Sequence, residues 1–261
     1  MIGGIYKINI KVGTKYTRRP YLLLTLSPFF MSIERKEGKM REAEKKLRKH
    51  LVFRIITKIF FAIHCVRSGL HIFLFFTSPS KHIIEKDISK WIQMEHEDLY
   101  EQHLPFWKQL VWLLWKHEAY RNLFYFRIKR DYLLFSRVFL EIASLIYRPR
   151  NTLFIRADNI GEGLFIQHGY STGIGGHSIG KNCWINQLVV IGYSDKGKAP
   201  TIGDNVHIAT GAKVLGDITI GDNSIIGANA VVVKDVPPNC TVVGVPAYII
   251  KRDGKRVKES L

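Results

Sequence analysis

Between Ile202 and Val232 an aliphatic residue falls on every sixth position: Ile202, Ile208, Val214, Ile220, Ile226 and Val232. A period of six is neither the period of about 3.6 of an amphipathic helix nor the alternation of a half-buried strand, so the pattern predicts short strands wound into a stacked coil. Three residues after each aliphatic stand Asn205, Gly211, Asp217, Asn223, Asn229 and Asp235. Gly, Asn and Asp tolerate the left-handed backbone region that a tight corner demands. One position further on, the side chains are small or β-branched: Val206, Ala212, Ile218, Ser224, Ala230 and Val236. The unit is strand, corner, strand, and the predicted architecture is a parallel β-helix.

The same pattern occurs earlier, at Ile160 and Ile166 with Gly163 and Gly169, and at Ile179, Ile185 and Ile191 with Asn182. Its phase slips twice. Thirteen residues separate Ile166 from Ile179, and eleven separate Ile191 from Ile202. A slip marks a bulge or a loop leaving the coil, and loops on a rigid scaffold are where function concentrates. The second slip, residues 193–200, has loop composition throughout and is a candidate active-site rim.

Upstream the texture changes. From about Met40 to Arg148, Leu, Phe, Ile and Trp mix with Lys, Arg and Glu, and Gly69 is the only glycine, which predicts helices. From Gln109 to Lys116 and from Tyr132 to Tyr147, apolar residues cover more than a narrow stripe, so these helices are expected to be buried on more than one side. The chain divides into a basic leader (1–40), a helical domain (41–150), a β-helix (151–251) and a tail (252–261). The fold class is mainly β, with a helical amino-terminal region.

Charge and composition narrow the function classes. The chain carries +17, of which +11 falls in residues 1–60, with fifteen Lys and Arg against four Glu. Such a segment suits a solvated face, a disordered leader or peripheral contact with an anionic membrane surface. No nucleic-acid module accompanies it. From Leu51 to Phe76 the chain is apolar but interrupted by Arg54, Lys58, His64, Arg67 and His71, which predicts an amphipathic helix rather than a span. The apolar run from Tyr21 to Phe30 lacks a small-x-small cleavage site, so no export signal is read, and Met31 or Met40 is a candidate start. Cys65, Cys183 and Cys240 are far apart and form no CxxC, so a reducing cytoplasm is expected, with Cys183 and Cys240 packed as small apolar residues.

Three histidines lie in the repeat: His168, His177 and His207. His168 immediately precedes a corner glycine at the first slip, where an imidazole projects beside irregular backbone and suits a general base. His207 is read as structural or as part of the rim. The spacings of nine and thirty residues among the three do not match the close pairs of a zinc site, so no metal is expected.

Three runs carry a resemblance: Ile160 to Gly173 (IGEGLFIQHGYSTG), Ala209 to Gly216 (ATGAKVLG) and Val232 to Ala247 (VVKDVPPNCTVVGVPA). They resemble the serine acetyltransferase branch of the hexapeptide-repeat acyltransferases over about residues 150–251. The resemblance implies a left-handed β-helix that trimerises, or pairs trimers into hexamers, with acetyl-CoA between neighbouring chains. It puts His168 in the place of the catalytic base and makes Gly192, Ala209, Gly211 and Ala228 cofactor contacts, with Lys234 or Lys251 at the phosphates. Two acceptor-side positions depart from the family: Leu153 stands where it carries an aspartate that orients the histidine, and Ala199 where it carries a second histidine. Asp158 or Glu162 is the candidate replacement for the orienting acid. With the acceptor side altered, the expected activity is acetyl transfer from acetyl-CoA to a hydroxyl of a polysaccharide-building sugar. The alternatives are L-serine as acceptor and a non-catalytic assembly scaffold.

Overall fold

The computed structural model describes residues 51–95, 104–131, 134–193 and 197–261. The basic leader, and the membrane-surface contact expected of it, lie outside the described residues. The chain divides into two compact units, Met1–Ile59 and Phe60–Leu261. Of the first, only residues 51–59 are described, and they are helical.

Among the described residues, six helices precede the coil: α1 (Leu51–Arg67), α2 (Gly69–Thr77), α3 (Lys81–Met94), α4 (Phe106–Lys116), α5 (Glu118–Asp131) and α6 (Leu134–Ile146). No single described helix is long and apolar enough to cross a membrane; α1 and α2 pass that test only as a pair, bent by 58°. Helix α4 is enclosed from Gln109 through Leu114, as its wide apolar face predicts. Helix α6 differs. It buries Leu140 and Ala143 but leaves Val138, Phe139, Ile142 and Leu145 exposed in the single chain.

The helices are tied to the coil through buried polar groups as well as packing. Asp87 of α3 and Arg127 of α5 pair at 2.9 Å with both side chains almost fully buried. Each then reaches the first coil: Asp87 Oδ1 accepts the backbone N–H of Gly163 (2.7 Å), and Arg127 donates to the carbonyls of Ile160 and Gly161. Burial pushes the Asp87 carboxyl up, against the pull of Arg127 and of the Gly163 and Leu164 N–H groups. Beside the pair, the Trp91 indole N–H donates to the Leu164 carbonyl (2.8 Å), and its ring meets Tyr120 and Phe165 edge-on.

The repeat forms a parallel solenoid of about five turns. One wall holds β1 (Leu153–Ile155), β4 (Thr172–Ile174), β7 (Val190–Gly192), β10 (Lys213–Leu215) and β13 (Val231–Val232). The second holds β2 (Asn159–Ile160), β5 (Ser178–Ile179), β8 (Thr201–Ile202) and β11 (Thr219–Ile220). The third holds β3 (Phe165–Ile166), β6 (Trp184–Ile185), β9 (His207–Ile208), β12 (Ile225–Ile226) and β14 (Cys240–Val243). The six-residue period is the distance from one wall to the next. Ile202, Ile208 and Val214 line the three walls of one turn, and Ile220, Ile226 and Val232 those of the next, all 0–2% exposed.

Of the predicted corner residues, Asn205, Gly211, Asn223 and Asn229 take the left-handed region and Asp217 and Asp235 do not. Asn182, Asn205, Asn223, Asn229 and Asn239 all take positive φ, and Asn205 and Asn223 each donate to the asparagine one turn on (3.1 Å). Corners between turns leave little room: a Cβ on Gly180 would lie 2.4 Å from the Gly203 backbone. Cys183 and Cys240 are buried among the apolar residues. The residues read as a tail form a hairpin instead, in which β15 (Tyr248–Arg252) and β16 (Lys255–Ser260) pair antiparallel and extend the third wall.

Candidate active site

The corner between β3 and β4 holds two residues more than the corners stacked beyond it. Pairing runs Phe165 to Trp184 on one side and Gly173 to Val190 on the other, which leaves seven residues between the paired positions in the first coil and five in the second. The extra length spans two turns of the wrong hand for ordinary side chains. His168 (φ 62), Gly169 (φ 63) and Ser171 (φ 46) all occupy the left-handed region. The Gly169 N–H donates to the Gln167 carbonyl (2.8 Å) around His168, which makes His168 the centre of a γ-turn of the rarer hand. Strain of this kind costs of order 1–3 kcal/mol and collects at functional sites.

Neighbouring elements hold the bulge in place. A Cβ on Gly169 would sit 3.1 Å from both the Ala119 methyl and the Leu153 side chain, so the start of α5 and strand β1 press directly on this corner. Leu153 is therefore a packing residue beneath the bulge. The segment leading to β1 is clamped to α5, where Asn122 bonds the backbone of Arg150 and Leu153 and Arg121 donates to the Arg148 carbonyl. On the corner itself, the Arg150 guanidinium lies 3.8 Å from the centre of the Tyr170 ring and pairs with Glu118 at 2.9 Å.

His168 is exposed and makes no hydrogen bond with the described residues. The expectation that Asp158 or Glu162 orients it is corrected by the structure: Asp158 faces His177 (3.5 Å) and Glu162 faces Lys181 (3.6 Å). Both acids lie on corners adjoining the second wall, away from the bulge between the third wall and the first. No cluster of His, Cys, Asp and Glu able to hold a metal ion occurs among the described residues.

Next to His168 runs a row of neutral polar groups. Asn186 donates to Gln167 Oε1 (3.1 Å), and its own Oδ1 lies 3.1 Å from His207 Nε2. The His207 ring stacks on Trp184 (4.2 Å between centroids, 15° between planes), and burial lowers its pKa. Gln187 Oε1 and Trp184 Nε1 are buried without a partner among the described residues.

The expected cofactor residues divide into two groups. Ala209, Gly211 and Ala228 lie on the same corner edge as His168, two and three turns further along. At about 4.8 Å per turn these small side chains stand roughly 10–14 Å from the His168 corner, with Asn186, Gln187 and Leu188 on the turn between. Gly192 ends β7 on the adjoining wall. Lys234 donates to the Leu261 carbonyl (2.7 Å), and Lys251 is an exposed residue of β15. The candidate rim 193–200 is described only at Tyr193 and from Gly197; there Lys198 pairs with Asp217 (2.7 Å).

Sequence reasoning missed Glu118, Arg150 and Tyr170. Periodicity carries no signal for them, since they meet through a contact between a helix start, a connecting segment and a bulge.

The family described as bacterial transferase hexapeptide (six repeats) matches residues 199–234. A serine acetyltransferase of Staphylococcus xylosus is 52% identical over 102 residues, 38% of this chain and 47% of that protein. One from Bacillus subtilis is 40% identical over 149 residues, 56% of this chain and 64% of that protein. The chain thus spans about half the length of the first curated relatives it matches. A solved serine acetyltransferase in complex with CoA superposes with a TM-score of 0.50 and 26% identity, covering 68% of this chain and 72% of that one. These names correct the expectation of a polysaccharide-building sugar as acceptor: the relatives are serine acetyltransferases, the reading that had stood second.

Proposed function

We propose that this serine acetyltransferase-like hexapeptide-repeat protein transfers the acetyl group of acetyl-CoA to the hydroxyl of L-serine. The observation that carries the reading is the placement of His168, thrust out by a γ-turn on the same corner edge that carries Ala209, Gly211 and Ala228 two and three turns further along. The likeness to a serine acetyltransferase solved with CoA supports the donor. The matching names of the relatives support the acceptor.

His168 takes the hydroxyl proton while that oxygen attacks the thioester carbonyl, and a backbone N–H stabilises the oxyanion of the tetrahedral intermediate. Collapse breaks the carbon–sulfur bond. The imidazolium returns its proton to the leaving thiolate, giving O-acetylserine and free CoA. A cytoplasmic homotrimer, or hexamer, belongs to the same proposal. The unpartnered His168 ring and the exposed apolar face of α6 support a site and a helical region completed by neighbouring chains.

Ala209→Trp tests the donor line. It is expected to raise KM for acetyl-CoA about tenfold or more by filling the corner edge, while His168→Ala leaves CoA affinity, measured by calorimetry, within about twofold. Unchanged KM in Ala209→Trp would remove the corner edge from the acetyl-CoA site.

A further inference from the structure

We propose that Arg150 and Glu118 form the charged subsite that receives the carboxylate and ammonium of the amino-acid acceptor and points its hydroxyl at His168. The inference rests on the serine reading above and assigns residues to it. Serine at neutral pH is a zwitterion, so its site needs one cation and one anion within a few ångströms of each other and of the base. The polar side chains running along the walls from Gln167, those of Asn186, Gln187 and His207, are amides and an imidazole whose pKa burial lowers. They offer hydrogen bonds and no fixed charge.

The fixed charges arrive from the other side of the bulge. The Arg150 guanidinium carbon lies 3.8 Å from the centre of the Tyr170 ring, and Tyr170 is two residues from His168, a backbone reach of at most about 7 Å. Glu118 opens α5 immediately before Ala119, the residue that presses on Gly169. The pair is unusually well held on its backbone side: Asn122, one helical turn after Glu118, takes the Arg150 N–H on its own oxygen (2.8 Å) and donates to the Arg150 carbonyl (3.0 Å). Its side chains remain undersatisfied. Of the Arg150 guanidinium nitrogens only Nη2 has a partner among the described residues, Glu118 Oε2; Nε is buried without one there, and Nη1 makes no hydrogen bond with them. Glu118 keeps a side chain 47% exposed and a second carboxylate oxygen with no hydrogen bond.

An isolated surface ion pair would not require a clamped backbone and a stacked guanidinium. A planar guanidinium fixed over an aromatic ring is suited to a carboxylate, which it grips through two parallel N–H donors. The neighbouring Glu118 oxygen then takes the ammonium. With both charges of the acceptor held, the third substituent of its Cα carries the hydroxyl, and the geometry directs that arm along the bulge toward His168.

The test compares acceptors that lack one charge each. Steady-state constants are measured for wild type, Arg150→Met, Arg150→Lys and Glu118→Gln with L-serine, L-serinamide (no carboxylate) and 3-hydroxypropanoate (no ammonium), with acetyl-CoA saturating. Arg150→Met is expected to raise KM for L-serine about 10- to 100-fold and to leave L-serinamide unaffected. Arg150→Lys, which keeps the charge, recovers part of the loss. Glu118→Gln raises KM for L-serine and leaves 3-hydroxypropanoate unaffected, and KM for acetyl-CoA stays the same in every variant. Equal losses for L-serine and L-serinamide, or KM for L-serine within twofold of wild type in both Arg150→Met and Glu118→Gln, would overturn the subsite and leave the serine reading standing. No transfer to L-serine by wild type would overturn the serine reading itself. Melting temperatures of the variants show whether each is folded, and Glu118→Gln carries the test alone if replacing Arg150 unfolds the corner.

Discussion

At the scale of single residues, backbone conformation marks the site. Leu188 occupies the corner next to the bulge with φ 62 and its side chain exposed, in the position that Gly211 and Asn229 fill in later turns. A bulky residue gains nothing from that conformation, which costs of order 1 kcal/mol or more. Leu188→Asn is therefore expected to raise stability by about 1 kcal/mol, seen as a rise of about 2–4 °C in melting temperature. If the substitution also raises KM for the acceptor, Leu188 is kept for the site at the expense of stability. This residue was invisible as a corner former because its type contradicts its conformation. His168 was legible because it stands beside a glycine at a phase slip. Its surroundings were not, because Asp158 and Glu162 are near it in sequence but belong to other corners, where His177 and Lys181 face them.

At the scale of elements, the coil was readable and the docking of helices onto it was not. A six-residue period states which side chain faces inward on each wall, so Ile202, Ile208 and Val214 were placed by spacing alone. The Asp87–Arg127 pair joins positions forty residues apart on two helices and then reaches the backbone of the first coil, a relation no local pattern encodes. Removing one partner strands the other charge in the interior. Arg127→Met or Asp87→Leu is expected to cost about 3–5 kcal/mol, and the double variant to recover much of that loss. Denaturant unfolding of the four proteins checks it; additive losses would mean the two side chains act independently.

At the scale of the whole molecule, the helical part makes stability depend on pH. His71 is fully buried, with Nε2 2.9 Å from the Tyr125 hydroxyl and Nδ1 without a partner among the described residues, and burial lowers its pKa to about 4; His117 is likewise lowered to about 4. The folded state holds these rings neutral while the unfolded chain protonates them from its ordinary value of 6.5 downward. Stability is thus full above about pH 6.5, falls as pH drops toward 4, and loses on the order of 3 kcal/mol per ring across that window. Denaturant midpoints at pH 7 and 4.5 measure the fall, and His71→Asn reduces it; an unchanged slope would mean the ring is protonated in the folded protein.

In the proposed reaction a histidine held out by a strained corner, on the edge that carries Ala209, Gly211 and Ala228, moves an acetyl group from acetyl-CoA to L-serine. The most direct measurement is free-thiol release from acetyl-CoA in the presence and absence of L-serine, for wild type and His168→Ala. Serine-dependent release that falls at least about 100-fold in the variant, with O-acetylserine as product, is the predicted result. Release that ignores serine, or that survives loss of His168, would contradict the account.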